Sequence, residues 1–291
     1  MPRWDAQNRT IVPPDDLTPR IMGIVNVTPD SFSDGGRFNR VEAASAQAGR
    51  LVAEGADLLD VGGESSRPGA EPVPLDDELR RVIPAIEAIA AEHTLPISVD
   101  TMKAQVARRA IAAGACIIND ITSLTGDPEM VRVAADTGAG VVLMHMAGTP
   151  QTMQIDPRYD DVVIEVYDYL ARRVEQVEAA GIGRDRIAVD PGIGFGKTNP
   201  HSLELLRNLD RFGSLGCVVL IGTSRKGFLG KLTGRPVDER ATASAVSALA
   251  AATLGAQVVR VHDVGATADA IKVWAAQVGW TPARHSSETT R

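Results

Sequence analysis

The chain has 291 residues, 44% of them hydrophobic, and a formal net charge of −7. That apolar content can bury one large core or two smaller ones, and it excludes a disordered chain. An acidic balance gives no general field for nucleic acid, so an anionic ligand needs a local cluster of Arg, Lys and His side chains.

Residues 1–20 are polar and proline-rich, unlike a targeting segment. Short apolar, β-branched runs follow at Ile21–Val27, Asp57–Val61, Pro96–Val99, Cys116–Ile118, Gly140–Met144, Arg186–Val189, Cys217–Ile221 and Gln257–Val261. Cys116 and Cys217 each stand beside such a run and read as reduced, buried thiols. Between the runs lie stretches with helical apolar spacing. The first is Val41, Ala44, Ala48, Leu51 and Val52, with Asn39 and Glu42 as a start signal; Asp127, Pro128 and Glu129 open another. Eight alternations of strand and helix predict a single-domain α/β fold, a (β/α)₈ TIM barrel, with a doubly wound sheet as the alternative. The long interval from Ala147 to Arg184 predicts an extra loop before its helix. The domain reading is an extension over 1–20, a barrel over 21–280 and a polar, mobile tail over 281–291. No apolar run approaches the roughly 20 residues of a membrane span, so a soluble, cytoplasmic protein without membrane or nucleic-acid partners is expected.

Each apolar run exits into polar residues: Asn26; Glu64 to Arg67; Asp100; Asn119 and Asp120; His145; Asp190; Ser224 to Lys226; and Arg260 with His262. In a TIM barrel these exits share one rim, where active sites lie. A single Asp or Asn there is readily a helix cap or satisfied loop residue; eight such exits together point to a pocket. Asp100, Asp190 and Asn119 suit a flat heterocycle with alternating donors and acceptors. Lys226, Arg260 and His262 can hold a diphosphate and stabilise it as it leaves. His145 and His262 each also admit a structural reading, and neither has the spacing of a zinc site. DPGIGFGK at Asp190–Lys197 lacks the glycine spacing of a Walker loop and reads as a flexible rim loop. No nucleophile elbow is present, which argues against a covalent mechanism.

With those residues in place, the chain resembles dihydropteroate synthases from about Ile21 to Gly279. The resemblance rests on MGIVNVTPDSFSDGG (Met22–Gly36), DVGGESSRPGA (Asp60–Ala70), SVDT (Ser98–Thr101), IIND (Ile117–Asp120), LMHM (Leu143–Met146), DPGIGFGK, GTSRKGF (Gly222–Phe228) and RVHDV (Arg260–Val264), in family order. It implies a transferase of folate biosynthesis, a sulfonamide target, that joins a dihydropterin diphosphate to p-aminobenzoate. It also implies that Asn26 helps to bind Mg²⁺, that Asp100, Asn119, Asp190 and Lys226 hold the pterin, and that Met144, Phe195 and Gly222 line its pocket. Arg260 and His262 join Asn26 at the diphosphate, Ser66 and Arg67 help to close over both ligands, and Ser224 and Phe195 border the p-aminobenzoate slot. Asp100, Lys226, Arg260 and His262 are then the catalytic set, and the loops at 28–37 and 62–69 exclude water. A homodimer is implied, for which the small-residue stretch Ala241–Ala252 offers a close-packing face, although packing within the barrel accounts for it equally well.

The family usually carries threonine where this chain has Ser66, which keeps the hydroxyl but loses the stiffening methyl. Met102 and Ala104 stand where serine and proline are common. The other readings are a catalytically silent pterin-binding paralogue and a methyltetrahydrofolate-dependent methyltransferase. The methyltransferase needs no diphosphate site, so the retained Arg67, Lys226, Arg260 and His262 count against it.

Overall fold

In the computed structural model of the chain, residues 2–14, 18–28 and 37–279 are described, apart from the side chains of 37–39. Residues 29–36 of the first rim loop and the tail over 281–291 lie outside them. A hairpin of β1 (Trp4–Ala6) and β2 (Arg9–Val12) comes first. Eight parallel strands then close a barrel: β3 (Arg20–Asn26), β4 (Leu58–Gly62), β5 (Ile97–Asp100), β6 (Ile117–Asp120), β7 (Gly140–Met144), β8 (Ile187–Asp190), β9 (Val218–Ile221) and β10 (Val258–Val261). Closure comes from β10, which pairs with β3 through Val258↔Arg20 to Val261↔Gly23 and also with β9. The doubly wound alternative is thereby set aside.

All eight expected runs are barrel strands, with ends displaced by no more than two residues. The displacements have a cause. Asp100 is in register with Asn119, and Asp190 with Met144, so polar residues expected just beyond the strands still belong to the ladder. Burial of β4, β7 and β9 along their whole length explains why they read as continuous apolar runs, since helices cover one side and the barrel interior fills the other.

The covering helices are α1 (Arg37–Ala53), α2 (Leu75–Glu92), α3 (Ala104–Ala112), α4 (Met130–Thr137), α5 (Val162–Ala179), α6 (Asn199–Arg207), α7 (Gly227–Thr233), α8 (Ala241–Thr253) and α9 (Val264–Gln277). The apolar stripe of α1 is buried at Ala44, Ala48 and Leu51 as its spacing predicts. The helix begins earlier, however, at Arg37, so Asn39 lies inside its first turn and is not a cap. Before α4, Asp127 accepts from Glu129 N at 3.0 Å and from Ala104 N at 2.9 Å, so one carboxylate ties the starts of two helices. The extra loop expected after β7 is present over 145–161, and Asp161 ends it by capping α5 through Val163 N and Ile164 N. Among the described residues no helix is long and apolar enough to cross a membrane.

The first twenty residues, read as an extension, contain the hairpin that stoppers the N-terminal end of the barrel. Trp4 is fully buried and donates from Nε1 to Arg186 O at 3.2 Å. Trp4, Ala6, Ile11 and Val12 form one apolar cluster with the lowest inward side chains of the strands, among them Met22, Leu58, Ile117, Val142 and Val258. Gly140 opens β7 where the hairpin crosses, because a Cβ there would stand 3.0 Å from Asp5 O and from Ala6 Cβ.

Candidate active site

Side chains alternate along a strand, so the residues two positions beyond that apolar layer also face the barrel axis. Beyond Leu58, Ile117, Val142, Ala188 and Val258 stand Asp60, Asn119, Met144, Asp190 and Arg260. One step along each strand turns a dry plug into a charged mouth.

Arg260 organises one side of it. Its Nε donates to Asp60 Oδ2 at 2.6 Å and its Nη2 to Asp100 Oδ2 at 2.7 Å, while Asn119 Nδ2 donates to Asp60 Oδ2 at 3.1 Å. Burial works against the arginine charge, but Asp60 and Asp100 outweigh it and hold the pKa above the ordinary arginine range. Burial pushes Asp100 up to about 7, and Asp60 adds to this while Arg260 opposes it. The carboxyl can therefore exchange a proton near neutrality, which an exposed aspartate cannot.

Across the mouth, Lys226 Nζ lies 4.1 Å from the centre of the Phe195 ring, a cation–π contact. Burial lowers this ammonium to about 8. Asp190 pulls it back up, Arg260 works with the burial, and Asp190 is itself raised, chiefly by burial. The Asp190 carboxylate accepts from Gly192 N at 2.7 Å. Ser224 Oγ accepts from His262 N at 3.1 Å and lies 3.0 Å from His262 Nδ1. With one lone pair taken by His262 N, the hydroxyl still offers a proton and a second lone pair to Nδ1; the tautomer in which Nδ1 accepts leaves Nε2–H as the ring's free donor. Burial first, then Arg260 and Arg225, lower His262 to about 3, so the ring is neutral at physiological pH and can donate one hydrogen bond. Arg67 adds to that depression, which places the charge of the second rim loop within reach of β10.

The second rim loop is anchored at both ends. Lys103 pairs with Glu64 and, at 2.5 Å, with the buried Glu78 of α2, which also accepts from Thr101 Oγ1 at 2.6 Å. Arg81 donates to Gly63 O at 2.9 Å, and a Cβ on Gly63 would stand 2.6 Å from Val82. At the far end Gly69 N donates to Pro150 O and Gln151 Nε2 to Ala70 O, both at 2.9 Å. Between the anchors Ser66 is half-buried and Arg67 exposed.

The pterin binding enzyme family matches residues 22–262 of the chain. The chain is 47% identical over 255 residues to the dihydropteroate synthase of Escherichia coli K12, covering 88% of this chain and 90% of that one. It is 48% identical over 264 residues to that of Neisseria meningitidis serogroup B, covering 89% and 92%. The chain belongs to the dihydropteroate synthase family. Among solved structures, Xanthomonas albilineans dihydropteroate synthase with 4-aminobenzoic acid superposes with a TM-score of 0.88 at 51% identity, over 97% of this chain and 99% of that one. The same enzyme in complex with 7,8-dihydropteroate gives 0.85 at 48%, over 97% and 100%.

The family's expected residues fall into two sets here. Asp100, Asn119, Asp190, Lys226, Arg260 and Phe195 are linked by the hydrogen bonds and charge interactions just described, and Met144 closes the set, its Cγ lying 3.3 Å from where a Cβ on Gly192 would stand. Asn26 ends β3 in register with Gly62, and Ser224 with His262 forms a pair that the charges of Arg260 and Arg67 reach. Gly222 lies half-buried directly after β9.

Asp60 was not singled out from the sequence, yet it binds both Arg260 and Asn119. The signal was there: a carboxylate inside the otherwise apolar run LLDVG. Lys197 was passed over as part of a loop read as flexible. The loop is closely packed, because a Cβ on Gly192 would stand 2.0 Å from His145 O and one on Gly196 2.6 Å from Ala147 O. These glycines permit close approach of backbones. Asp120 turns inward on its own loop, accepting from Thr122 N and Oγ1 at 2.7 Å and from Leu124 N at 3.1 Å, and is a turn residue.

Proposed function

We propose that this mouth joins a dihydropterin diphosphate to p-aminobenzoate and releases diphosphate. The observation that carries the reading is the ring of Asp60, Asp100, Asn119, Asp190, Lys226 and Arg260 on six different strands and their exits. It stands in a chain about half identical to synthases whose structures contain 4-aminobenzoic acid and 7,8-dihydropteroate. An aminopyrimidinone edge presents donors and acceptors in one plane, and Asp100, Asn119, Asp190 and Lys226 supply the complementary acceptors and donors. The bond from the exocyclic methylene to the diphosphate oxygen breaks with its electron pair leaving on the anion. The arylamine nitrogen then attacks the methylene and loses a proton. Ionised Asp100 stabilises positive charge developing on the ring, and the His262 Nε2–H, Arg67 and Arg260 face the departing anion. Ser66 and Arg67, held on a loop pinned at both ends, close over the second substrate and keep water from the cation.

Among the described residues no group of three or more His, Cys, Asp and Glu side chains could hold a metal ion. Asn26 would offer one amide oxygen to a magnesium ion arriving with the diphosphate. Such an ion supplies charge neutralisation to the leaving group.

A homodimer through the α7–α8 face belongs to the same proposal. The small residues of α8 that were candidates for that face, Ser244, Ala245, Ala248 and Ala251, pack inward against the barrel instead. What α7 and α8 present outward is Leu232 and Val246, with Leu254 just after them, all exposed along an apolar groove.

The test is dihydropteroate formation with diphosphate release when the protein meets both substrates and Mg²⁺, with Asp190→Ala as control. Turnover that falls about a hundredfold or more in the control supports the synthase. No turnover in the wild-type chain, with pterin binding intact, marks a silent paralogue.

A further inference from the structure

The glycine loop after β8 is fastened from beneath by a lysine that the proposed reaction does not use. Lys197 is only 3% exposed. Its Nζ lies 2.8 Å from His145 Nδ1, 3.2 Å from His145 O and 2.9 Å from Phe195 O. An ammonium has three protons and no acceptor, and three acceptors surround this one. The His145 ring is held in turn, with Tyr169 edge-on at 4.9 Å and Tyr159 at 6.1 Å. Burial lowers Lys197 to about 7 and His145 to about 3, so the imidazole is neutral. When Lys197 gives up a proton it keeps two donors and turns a lone pair to Nδ1, which then carries the ring proton. The fastening survives neutralisation.

The loop it fastens has little intrinsic shape. Gly192, Gly194 and Gly196 have φ of 71°, 81° and 63°, conformations glycine adopts freely and leaves as freely. Yet its two outputs are specific: the Phe195 ring lies against Lys226 Nζ, and Gly194 lies against the Lys226 stem, where a Cβ would be 3.4 Å from Cδ. Tyr159 Oη donates to Gly196 O at 2.8 Å and Gln154 Nε2 to Gly194 O at 2.7 Å, but of the three side chains only Lys197 grips Phe195 itself. A buried cation is a costly way to fill space, and an unbranched apolar side chain would pack as well or better. What the N–H donors of Lys197 add is a fixed position for the Phe195 carbonyl.

We propose that Lys197 and His145 are positioning residues that hold the glycine loop in the one form that sets Phe195 against Lys226, and so shape the site where the pterin and p-aminobenzoate meet. This rests on the synthase reading. The experiment compares the wild-type chain with Lys197→Met, Phe195→Leu and the double variant. For each it measures KM for both substrates, kcat and the melting temperature.

Lys197→Met is expected to raise KM for p-aminobenzoate about tenfold, with a melting temperature unchanged or higher. In the double variant KM should be no higher than in Phe195→Leu alone, because the lysine acts through that ring. Wild-type KM values in a folded Lys197→Met protein, or two effects that multiply, overturn the proposal. If Lys197→Met does not fold, His145→Asn replaces it and should raise the same KM about threefold; no rise overturns the idea. Absence of wild-type turnover counts against the synthase reading alone, and the same four proteins then test the fastening by calorimetric binding of dihydropterin diphosphate. There Lys197→Met should weaken binding only where Phe195 is present, and equal weakening in both backgrounds sinks it.

Discussion

The two ends of this barrel are built from the same strands and differ by a single step of two residues along each. At the N-terminal end Leu58, Ile117, Val142, Ala188 and Val258 meet a stopper of Trp4, Ala6, Ile11 and Val12. At the C-terminal end Asp60, Asn119, Met144, Asp190 and Arg260 take the corresponding places. One end holds the barrel together by removing apolar surface from water. The other holds charges that burial disfavours and that persist only because Arg260 ties two carboxylates and Lys226 lies between Phe195 and the field of Asp190. The fold can therefore keep a charged, titratable mouth because its stability is supplied elsewhere.

The strongest way to break that division is Arg260→Met. It leaves Asp60, which has no exposed surface, without its cation, and should cost about 3–5 kcal/mol of stability as well as turnover. Denaturant unfolding beside a rate assay checks both; an active, equally stable variant would show that the mouth does not depend on the pair. Trp4→Ala acts on the stopper alone. A loss of about 3–4 kcal/mol in chemical denaturation, with KM for both substrates within twofold of wild type, is expected from emptying a fully buried indole site. A large change in KM would show that the two ends are coupled.

A third test reads the mouth by its protons. Asp100, raised to about 7, stabilises positive charge on the pterin only when ionised, and Lys226, lowered to about 8, gives a charge-assisted hydrogen bond only when protonated. The pH profile of kcat/KM should therefore fall about tenfold per unit below roughly 7 and again above roughly 8. Asp60→Asn removes a negative neighbour that raises Asp100, so the acid limb should move to lower pH; a limb that stays in place assigns it to another group. The smallest effect is expected from Ser66→Thr, which stiffens the loop between its two anchors. It should lower KM for p-aminobenzoate about two- to threefold with kcat unchanged, and a steady-state titration decides it.

Eight apolar runs were legible because a strand buried on both faces has few polar positions to interrupt it, and a rim was legible because polar residues gather at or just beyond the end of every run. The hairpin was not. Trp4 and Ile11 alternate over too few residues to register as strands, and only the crossing of Gly140 gives them something to cover. Asp60 and Lys197 were missed for opposite reasons. Asp60 hid within an apolar strand and makes sense only when Arg260, 200 positions away, turns out to be its partner. Lys197 hid within a glycine-rich run whose positive φ angles look like freedom until the backbone of His145 is found beneath.

The sequence by itself determined the order and number of the barrel strands, the polarity of their ends and the family to which the motifs belong, because each of these is written in neighbouring residues. Only the tertiary structure decided which charge meets which: Arg260 with Asp60 and Asp100, Lys226 with Phe195, Lys197 with His145. Those pairings depend on distances across a closed barrel, which are fixed by the register of eight strands together and by no local stretch of chain.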